Sequence, residues 1–328
     1  MNFGQVFSKA WKTILQHKIL WVFGIFAGLL SGGSYGSGSG YRFDGNDMPM
    51  MNNWPNNMPQ GMQQFGQAME NFFNRGDGDW VGLAILLGCL ALFFTVLSIF
   101  LGITGQNALI RAAWKVEEGS SEKMRFGALF KEGLRYFWKV FGLYVLVIVA
   151  SVVFAVAVVL ISIFTLGVGA LLFLCLALPL AIGAGLLINQ SVIIMISEDL
   201  GVFDAVKAAW EFVFQKNLGN YLLMFLILGI GAAILKFLIV LPWVVMLIPL
   251  GAGLFIGGSE AIGTSTIVIS IVLGVLYLPL YLVLLGALNA YVFSAWTIFY
   301  HDLRGAKTEV DLSPLELQES IPDAGSVE

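Results

Sequence analysis

The chain alternates between long apolar runs without charge and short amphipathic segments. A helix needs about 20 apolar residues to cross the hydrocarbon core of a bilayer. Four stretches meet this requirement, at residues 80–104, 140–197, 218–235 and 264–290. The run 140–197 is too long for one span, so we predict two spans there with a break near Thr165. The pattern therefore predicts transmembrane helices rather than the core of a soluble domain.

Two further apolar runs leave the number of spans open. Residues 19–30 are short for a span, and a secretory signal peptide is the competing interpretation. We predict a span, because the preceding segment is long and amphipathic and no small-residue cleavage site follows. Residues 237–258 contain Pro242 and Pro249 and either form a span or re-enter the membrane as a kinked segment. The prediction is six spans, or seven if 237–258 also crosses.

Three amphipathic segments resemble one another, and each precedes an apolar run. They are FGQVFSKAWKTIL from Phe3, FGALFKEGLRYFW from Phe126 and VFDAVKAAWEFVF from Val202. Each places apolar residues at helical spacing and basic residues on the opposite face, which is typical of a helix in the membrane interface. We therefore predict three interfacial helices. The candidate interfacial anchors are Trp11, Trp138, Trp210 and, at the end of a span, Lys236.

A similar pattern of residues recurs at the ends of three apolar runs. An asparagine precedes a glycine across an acidic stretch, at Asn107 to Gly119, Asn189 to Gly201 and, with a longer spacing, Asn289 to Gly305. We interpret each glycine as a helix C-cap that closes one unit. The prediction is a single membrane domain, residues 1–305, built from three repeat-like units at 1–119, 120–201 and 202–305.

Two of these segments resemble a known family. EDLGVFDAVKAAWEFVFQKNLGNYLLMFLILGI at 198–230 and AYVFSAWTIFYHDLRG at 290–305 are similar to recurring motifs of bacterial multi-pass proteins related to the membrane domain of glycerophosphoryl diester phosphodiesterase. The likeness covers most of the chain except the loop 31–79. It implies a bacterial membrane module without an assigned activity. In that family the membrane domain can precede a soluble catalytic domain, but only a short acidic segment follows Gly305 here, so we expect no phosphodiesterase activity.

Composition and charge agree with a membrane protein and set its orientation. The chain is 58% hydrophobic and 12% charged, about half the charged share of a soluble domain. The N-terminal segment and the segment between the second and third spans are rich in Lys and Arg, whereas the loop 31–79 has two Arg against five acidic residues. The positive-inside rule therefore predicts a cytoplasmic (inner) membrane protein with a cytoplasmic N-terminus and an external loop.

The external loop and the C-terminal tail are polar. The loop 31–79 is rich in Gly, Met and Asn, and residues 62–75 predict a short amphipathic helix. Its methionines could select Cu(I), but neither His nor Cys accompanies them, so we predict a linker without metal. The tail 306–328 is acidic, and we predict that it is disordered.

The sequence contains few groups that could carry chemistry. The two His and two Cys fit no metal spacing, no catalytic motif occurs, and the scattered basic residues do not predict nucleic-acid binding. We expect no enzyme activity, no cofactor and no metal. Amides at membrane depth are the candidate functional positions, with helix–helix hydrogen bonding as the plainer interpretation. They are Asn107, Asn189, Gln190 and Asn289.

These expectations combine into two hypotheses about function. The first is a non-enzymatic protein of the cell envelope that organises membrane lipids or a membrane-protein partner, which follows from repeated interfacial helices without catalytic groups. The alternative is a transporter or permease component of unknown substrate that uses the buried amides. The sequence leaves the oligomeric state open.

Overall fold

The structure, a computed structural model, describes residues 3–31, 79–119, 124–165, 168–256 and 264–319. Every regular element in these ranges is helical, which confirms the all-α class. The nine α-helices are α1 (Phe3–Gln16), α2 (Ile19–Ser31), α3 (Asp79–Glu117), α4 (Phe126–Arg135), α5 (Phe137–Phe164), α6 (Val168–Ser197), α7 (Val202–Trp210), α8 (Leu218–Ile256) and α9 (Thr264–Glu319), with a π-helical segment, Glu211–Lys216, between α7 and α8. Most of the predicted external loop, with the helix at 62–75, lies outside the described residues.

Five helices are long and apolar enough to cross a bilayer, namely α3, α5, α6, α8 and α9. The pair α1 and α2 is bent by 107° and gives a sixth crossing if it counts as one span. The chain is therefore a polytopic helical membrane protein, with five to six candidate spans in its described residues. The described part of 237–258 forms neither a seventh span nor a re-entrant segment. It continues α8 without a break to Ile256, because each proline removes only one backbone donor and a helix can absorb that loss as a local bend.

Helix α2 is short, and one face of it lies inside the protein, whereas Val22 and Leu29 are exposed. Leu20, Phe23 and Ala27 are fully buried. The helix has 13 residues and spans only about 20 Å. A Trp21 Nε1–H donates to the Ile14 carbonyl oxygen at 2.9 Å, which fixes the sharp bend between α1 and α2. We therefore describe α2 as a short helix whose inner face packs at the centre of the fold.

Glycines allow α2 to lie almost in backbone contact with its neighbours. A Cβ atom at Gly105 of α3 would lie 2.7 Å from the Phe26 Cβ, and a Cβ at Gly286 of α9 would lie 2.5 Å from the Trp21 carbonyl oxygen. Helices in lipid associate mainly by close packing of small residues, since the hydrophobic effect does not drive them together there. The glycines therefore hold α3 and α9 against α2.

The three predicted interfacial segments are helical, although the third is α-helical only to Trp210 and π-helical beyond it. Their apolar faces are divided between the protein and the exterior. In α1 the smaller residues Val6 and Ala10 are fully buried, whereas Trp11 is 53% exposed. Trp138 and Trp210 are exposed as well. The prediction placed each whole apolar face in the membrane, but one edge of it packs on the protein core instead.

Only one of the three predicted glycine C-caps is found. Gly119 has φ of +73° and follows the end of α3, as predicted. After α6 the left-handed conformation is taken by Asp199, with φ of +52°, and Gly201 is the extended N-cap of α7. Gly305 lies inside α9, which runs on to Glu319. Residues 306–319 of the tail, predicted to be disordered, are therefore helical, because extending an existing helix avoids the cost of nucleation.

The packed core occupies only one half of the molecule. We call this end, formed by 103–119 of α3, 186–197 of α6, 288–305 of α9 and the amphipathic helices, the packed half. Away from it, residues 85–97 of α3 and most of 148–165 of α5 are exposed. We call these segments the exposed half. Among the described residues, the buried polar side chains therefore lie at one end of the spans.

Candidate functional site in the packed half

Asn107 joins α3 to the amphipathic helix α4. Its side chain is fully buried, and its Nδ2 donates to the Gly133 carbonyl oxygen at 3.1 Å. Gly133 is required at this crossing because a Cβ there would overlap the Thr104 carbonyl oxygen. The neighbouring Gln106 accepts a hydrogen bond from the Tyr144 hydroxyl at 2.9 Å. These amides bind helices to one another in the manner that the plainer interpretation predicted.

Asn289 makes the equivalent contact between α9 and α2. It is 5% exposed, and its Nδ2 donates to the Gly24 carbonyl oxygen at 3.3 Å. Donation from a buried asparagine to a glycine carbonyl on a neighbouring helix thus occurs twice, at corresponding positions of two predicted units. The repeat itself stays a prediction.

Gln190 on α6 differs from Asn107, which lacks a partner among the described residues for its Oδ1 alone. The Gln190 side chain is fully buried, and neither Oε1 nor Nε2 has a hydrogen-bond partner in the described part of the chain. The adjacent Asn189 is 9% exposed. No hydrogen bond joins any two of the four predicted amides within the described residues, so the structure does not assemble them into one cluster. A buried amide without a partner is costly and commonly marks a bound water or ligand.

A network of ion pairs, which the sequence did not predict, surrounds the ends of the helices. The Lys9 ammonium on α1 lies 3.2 Å from Glu117 of α3 and 3.0 Å from Asp302 of α9. One cation therefore joins three helices. Burial alone would lower the Lys9 pKa, but its hydrogen bonds to Asp302 and Glu117 outweigh that effect and raise the pKa above its ordinary value, so Lys9 is charged at neutral pH.

Two more acidic residues connect the predicted second unit to the first and the third. Glu132 of α4 pairs with Lys115 of α3 at 2.5 Å. Glu198 pairs with Arg304 of α9 at 3.2 Å and also accepts the Tyr300 hydroxyl. Each predicted unit is thus linked to another by charge at the packed half.

Asp199 closes the network beside the start of α5. Its carboxylate lies 2.7 Å from Lys139 and 3.0 Å from Arg135. The hydrogen bond from Lys139 holds the pKa of Asp199 below its ordinary value. Both partners are substantially exposed, so these pairs orient the turn between α6 and α7 more than they stabilise it.

One part of the network has the donor types of a metal site. One ligand atom each of Glu117, His301 and Asp302 lies within 4.8 Å of the others. The Lys9 ammonium, however, already bonds to both carboxylates. The arrangement is therefore a lysine–carboxylate cluster, in which Lys9 supplies the positive charge that a metal ion would otherwise provide.

Lys236 and Asn289 meet in a groove between α8 and α9. The groove has a volume of about 360 Å³, and its other walls are apolar residues of the two helices, including Phe225 and Trp296. The span predicted to end at Lys236 continues as helix α8, and the role of Lys236 as an interfacial anchor stays a prediction. The structure thus places one predicted anchor and one predicted amide in the same groove.

In the sequence, the acidic residues of this network were recognisable only as a feature that recurs near the ends of the predicted units. The sequence could not identify their partners, because Lys9 and Asp302 are 293 positions apart and only the packing of α1 on α9 brings them together. Two sequence features could have indicated ion pairs here. Acidic residues recur after Asn107 and Asn189, and the amphipathic helices carry basic residues.

Comparison with known proteins gives one relationship. No curated protein and no solved structure matches the chain. Residues 18–304 match a family of unknown function, DUF7544. This match covers most of the 328 residues, and the chain therefore belongs to the DUF7544 family.

Proposed function

We propose that this protein is a non-enzymatic integral membrane protein that organises lipid or partner proteins in a cytoplasmic membrane. The observation that carries the proposal is the contrast between the packed half and the exposed half. The packed half fixes the relative positions of the helices through glycine contacts, buried amides and ion pairs. The exposed half then presents apolar helices whose faces contact little else in the described chain.

Helix α3 shows this contrast along one element. Ile85, Leu86 and Leu87 are three consecutive residues and are each more than half exposed. Consecutive residues of a helix are about 100° apart around its axis, so no single face of α3 is packed at this level. Farther along the same helix, Leu109 and Ile110 are fully buried. Among the described residues nothing covers this part of α3, which supports contact with lipid or with another protein.

Helix α5 runs away from the packed half and shows the same contrast. Val152, Val153 and Phe154 are each at least 51% exposed, while Val140 and Leu143 near its start are buried. A helix that is apolar all round is stable only within lipid or against other helices. This arrangement supports a role in which neighbouring membrane components cover the spans.

The proposal is tested by native mass spectrometry of the full chain released from nanodiscs formed directly from the host membrane. We expect lipid or a second protein to be retained at a fixed ratio. A bare chain without retained lipid or protein contradicts the proposal. Flux of a solute by the purified protein in vesicles, at a rate typical of transporters, contradicts it as well.

The second candidate, a transporter component, is favoured by Gln190. Its buried amide has unused donors and acceptors within the described chain, as a polar substrate site would. On this hypothesis Gln190→Leu, Asn189→Leu and Asn289→Leu abolish flux of a solute in vesicles while expression is retained. Ser151→Ala is the matched control, because the Ser151 hydroxyl is exposed and bonds only to its own helix. Flux that is the same in the wild type and in the three leucine variants would argue against transport through the buried amides.

A further inference from the structure

The amphipathic helix α4 lies at the border of the membrane. Gly133 marks the level at which α4 crosses α3, because a Cβ there would meet Thr104 and Ala108. The uncharged run of α3 ends just beyond this crossing, at Arg111, which lies about 5–10 Å farther along the axis. An amphipathic helix in the interface lies about 5–10 Å inside the headgroup region. Helix α4 is therefore at the depth of the boundary between headgroups and acyl chains.

The two faces of α4 differ in what covers them. Leu129 and Gly133, one turn apart, are buried. Lys131 follows Leu129 by two residues and therefore projects about 200° from it around the axis, away from the protein core. Lys131 and Leu134 are exposed, and Trp138 in the first turn of α5 is 76% exposed. We call Lys131, Leu134, Arg135 and Trp138 the outward face of α4.

Positive charge exceeds negative charge around the outward face. Glu132 pairs with Lys115 at 2.5 Å and lies 3.7 Å from Arg111. Asp199 likewise has two basic partners, so each of these carboxylates is shared by two cations. Lys131 is exposed, and the structure shows no ion pair for it within the described residues. The outward face therefore has cationic groups available for an anion from outside the chain.

The third amphipathic segment, formed by α7 and the π-helical residues, has no such excess. It carries Asp204 and Glu211 against Lys207 and Lys216. Its exposed apolar residues, Phe203 and Trp210, suit the interface equally well. The two segments therefore differ in their charge and resemble each other in their exposed aromatic residues.

We propose that the outward face of α4 binds anionic phospholipids of the leaflet at the packed half. Lys131 and Arg135 contact the headgroup phosphates, and Leu134 and Trp138 enter the acyl boundary. Arg135 can do so while paired with Asp199, because a guanidinium group has five donors. The depth of α4 favours lipid over a soluble acidic partner, since Leu134 and Trp138 then lie below the headgroups. The inference rests on the proposed function and names the lipid class that the protein would organise.

The test uses the full chain in detergent with an equimolar mixture of phosphatidylglycerol and phosphatidylcholine. Native mass spectrometry measures the ratio of the two lipids among the first to bind. We expect the wild type to prefer phosphatidylglycerol and Lys131→Gln to reduce that preference by about fivefold. Lys131→Arg, which retains the charge, also retains the preference.

Lys207→Gln is the matched control, because it removes the same charge from an exposed position of another amphipathic helix. Asp204 and Glu211 already repel anionic lipid from that segment, so its variant is expected to change the lipid ratio much less than Lys131→Gln does.

Three results would overturn the inference. The first is equal binding of the two lipids by the wild type. The second is an equal loss of preference in the Lys131 and Lys207 variants, which would show that net charge alone selects the lipid. The third is an unchanged lipid ratio in Lys131→Gln together with loss of a protein that host-membrane nanodiscs retain, which would identify an acidic protein as the occupant.

The nanodisc experiment separates this inference from the proposed function. If lipid or protein is retained there while any of the three results holds, only the assignment of the outward face fails. If nothing is retained there, the proposed function itself fails.

Discussion

At the scale of single residues, the fold depends on positions where a side chain of any size would prevent a helix crossing. Gly24 and Gly286 are the closest such pair, because a Cβ at Gly24 would overlap the Gly286 carbonyl oxygen. The 38 glycines of the chain suit close helix packing in lipid, but the sequence does not identify which glycines face one another. That choice depends on helix rotation, which only the packed structure defines.

We predict that Gly24→Ala destabilises the protein by about 1–3 kcal/mol, the usual cost of overpacking. Thermal unfolding in detergent, followed by size-exclusion chromatography of the remaining folded fraction, measures the effect. Gly142→Ala is the control. Gly142 is also helical, and its Cβ position is open, so alanine there should be neutral or slightly stabilising. Equal unfolding temperatures for the two variants would argue against close contact of α2 with α9.

The buried amides show a similar division between what the sequence predicts and what it omits. Asn107 and Asn289 were recognisable as polar residues in apolar runs. Their acceptors, the carbonyls of Gly133 and Gly24, lie 26 and 265 positions away and follow no sequence pattern. Gln190 has no hydrogen-bond partner among the described residues. The sequence could not predict this, because it depends on which groups the fold places around the side chain.

At the scale of elements, the amphipathic helices were predictable and their partners were not. Hydrophobic periodicity identified α1, α4 and α7, because a 3.6-residue period is visible in a single segment. Periodicity could not show which residues of an apolar face contact the membrane and which pack on the protein. It also placed a break at Lys236, since charge and proline ended the apolar window there, although the backbone of α8 continues.

Docking of α1 is predicted to depend on Lys9. Lys9→Gln removes the ion pairs with Glu117 and Asp302, and we expect hydrogen exchange of the α1 amides to become up to about fivefold faster. This corresponds to about 1 kcal/mol for a pair in which Lys9 is partly exposed. Hydrogen exchange with mass spectrometry of the N-terminal peptide measures it.

Lys12→Gln is the control for this prediction, because Lys12 lies exposed on the same helix and the structure shows no ion pair for it. Its exchange should equal that of the wild type. Faster exchange in both variants would indicate that general loss of positive charge, rather than the contact with Asp302, releases α1.

At the scale of the whole molecule, the Lys9–Asp302 contact determines the parity of the spans. It places the N-terminal helix and the packed end of α9 on the same side, 3.0 Å apart. Helices α3, α5, α6, α8 and α9 provide five crossings. An odd number of further crossings is therefore needed between Lys9 and the start of α3, and α2 is the apolar helix that the structure describes in that interval. This favours six crossings, the number that the apolar runs predicted.

The proposed orientation can be tested by cysteine labelling after both native cysteines are replaced by serine. Lys12→Cys and Gly305→Cys are expected to react with a membrane-impermeant maleimide only after the cells are permeabilised. Phe164→Cys, at the far end of α5 and 86% exposed in the wild type, should react in intact cells. Reaction of all three from the same side would contradict six crossings, and the reverse pattern would contradict a cytoplasmic N-terminus.

The central claim is that the helices are held together at the packed half, whereas α3 and α5 are left open to membrane components at the exposed half. Spin labels placed singly along α3 in lipid nanodiscs, with oxygen as the lipid-soluble relaxing agent, test it directly. The account predicts high oxygen accessibility at every position from 85 to 97, without helical periodicity, and low accessibility from 107 to 113. Strong protection with a 3.6-residue period across 85–97 would show that the rest of the protein packs on this part of α3, and would contradict the account.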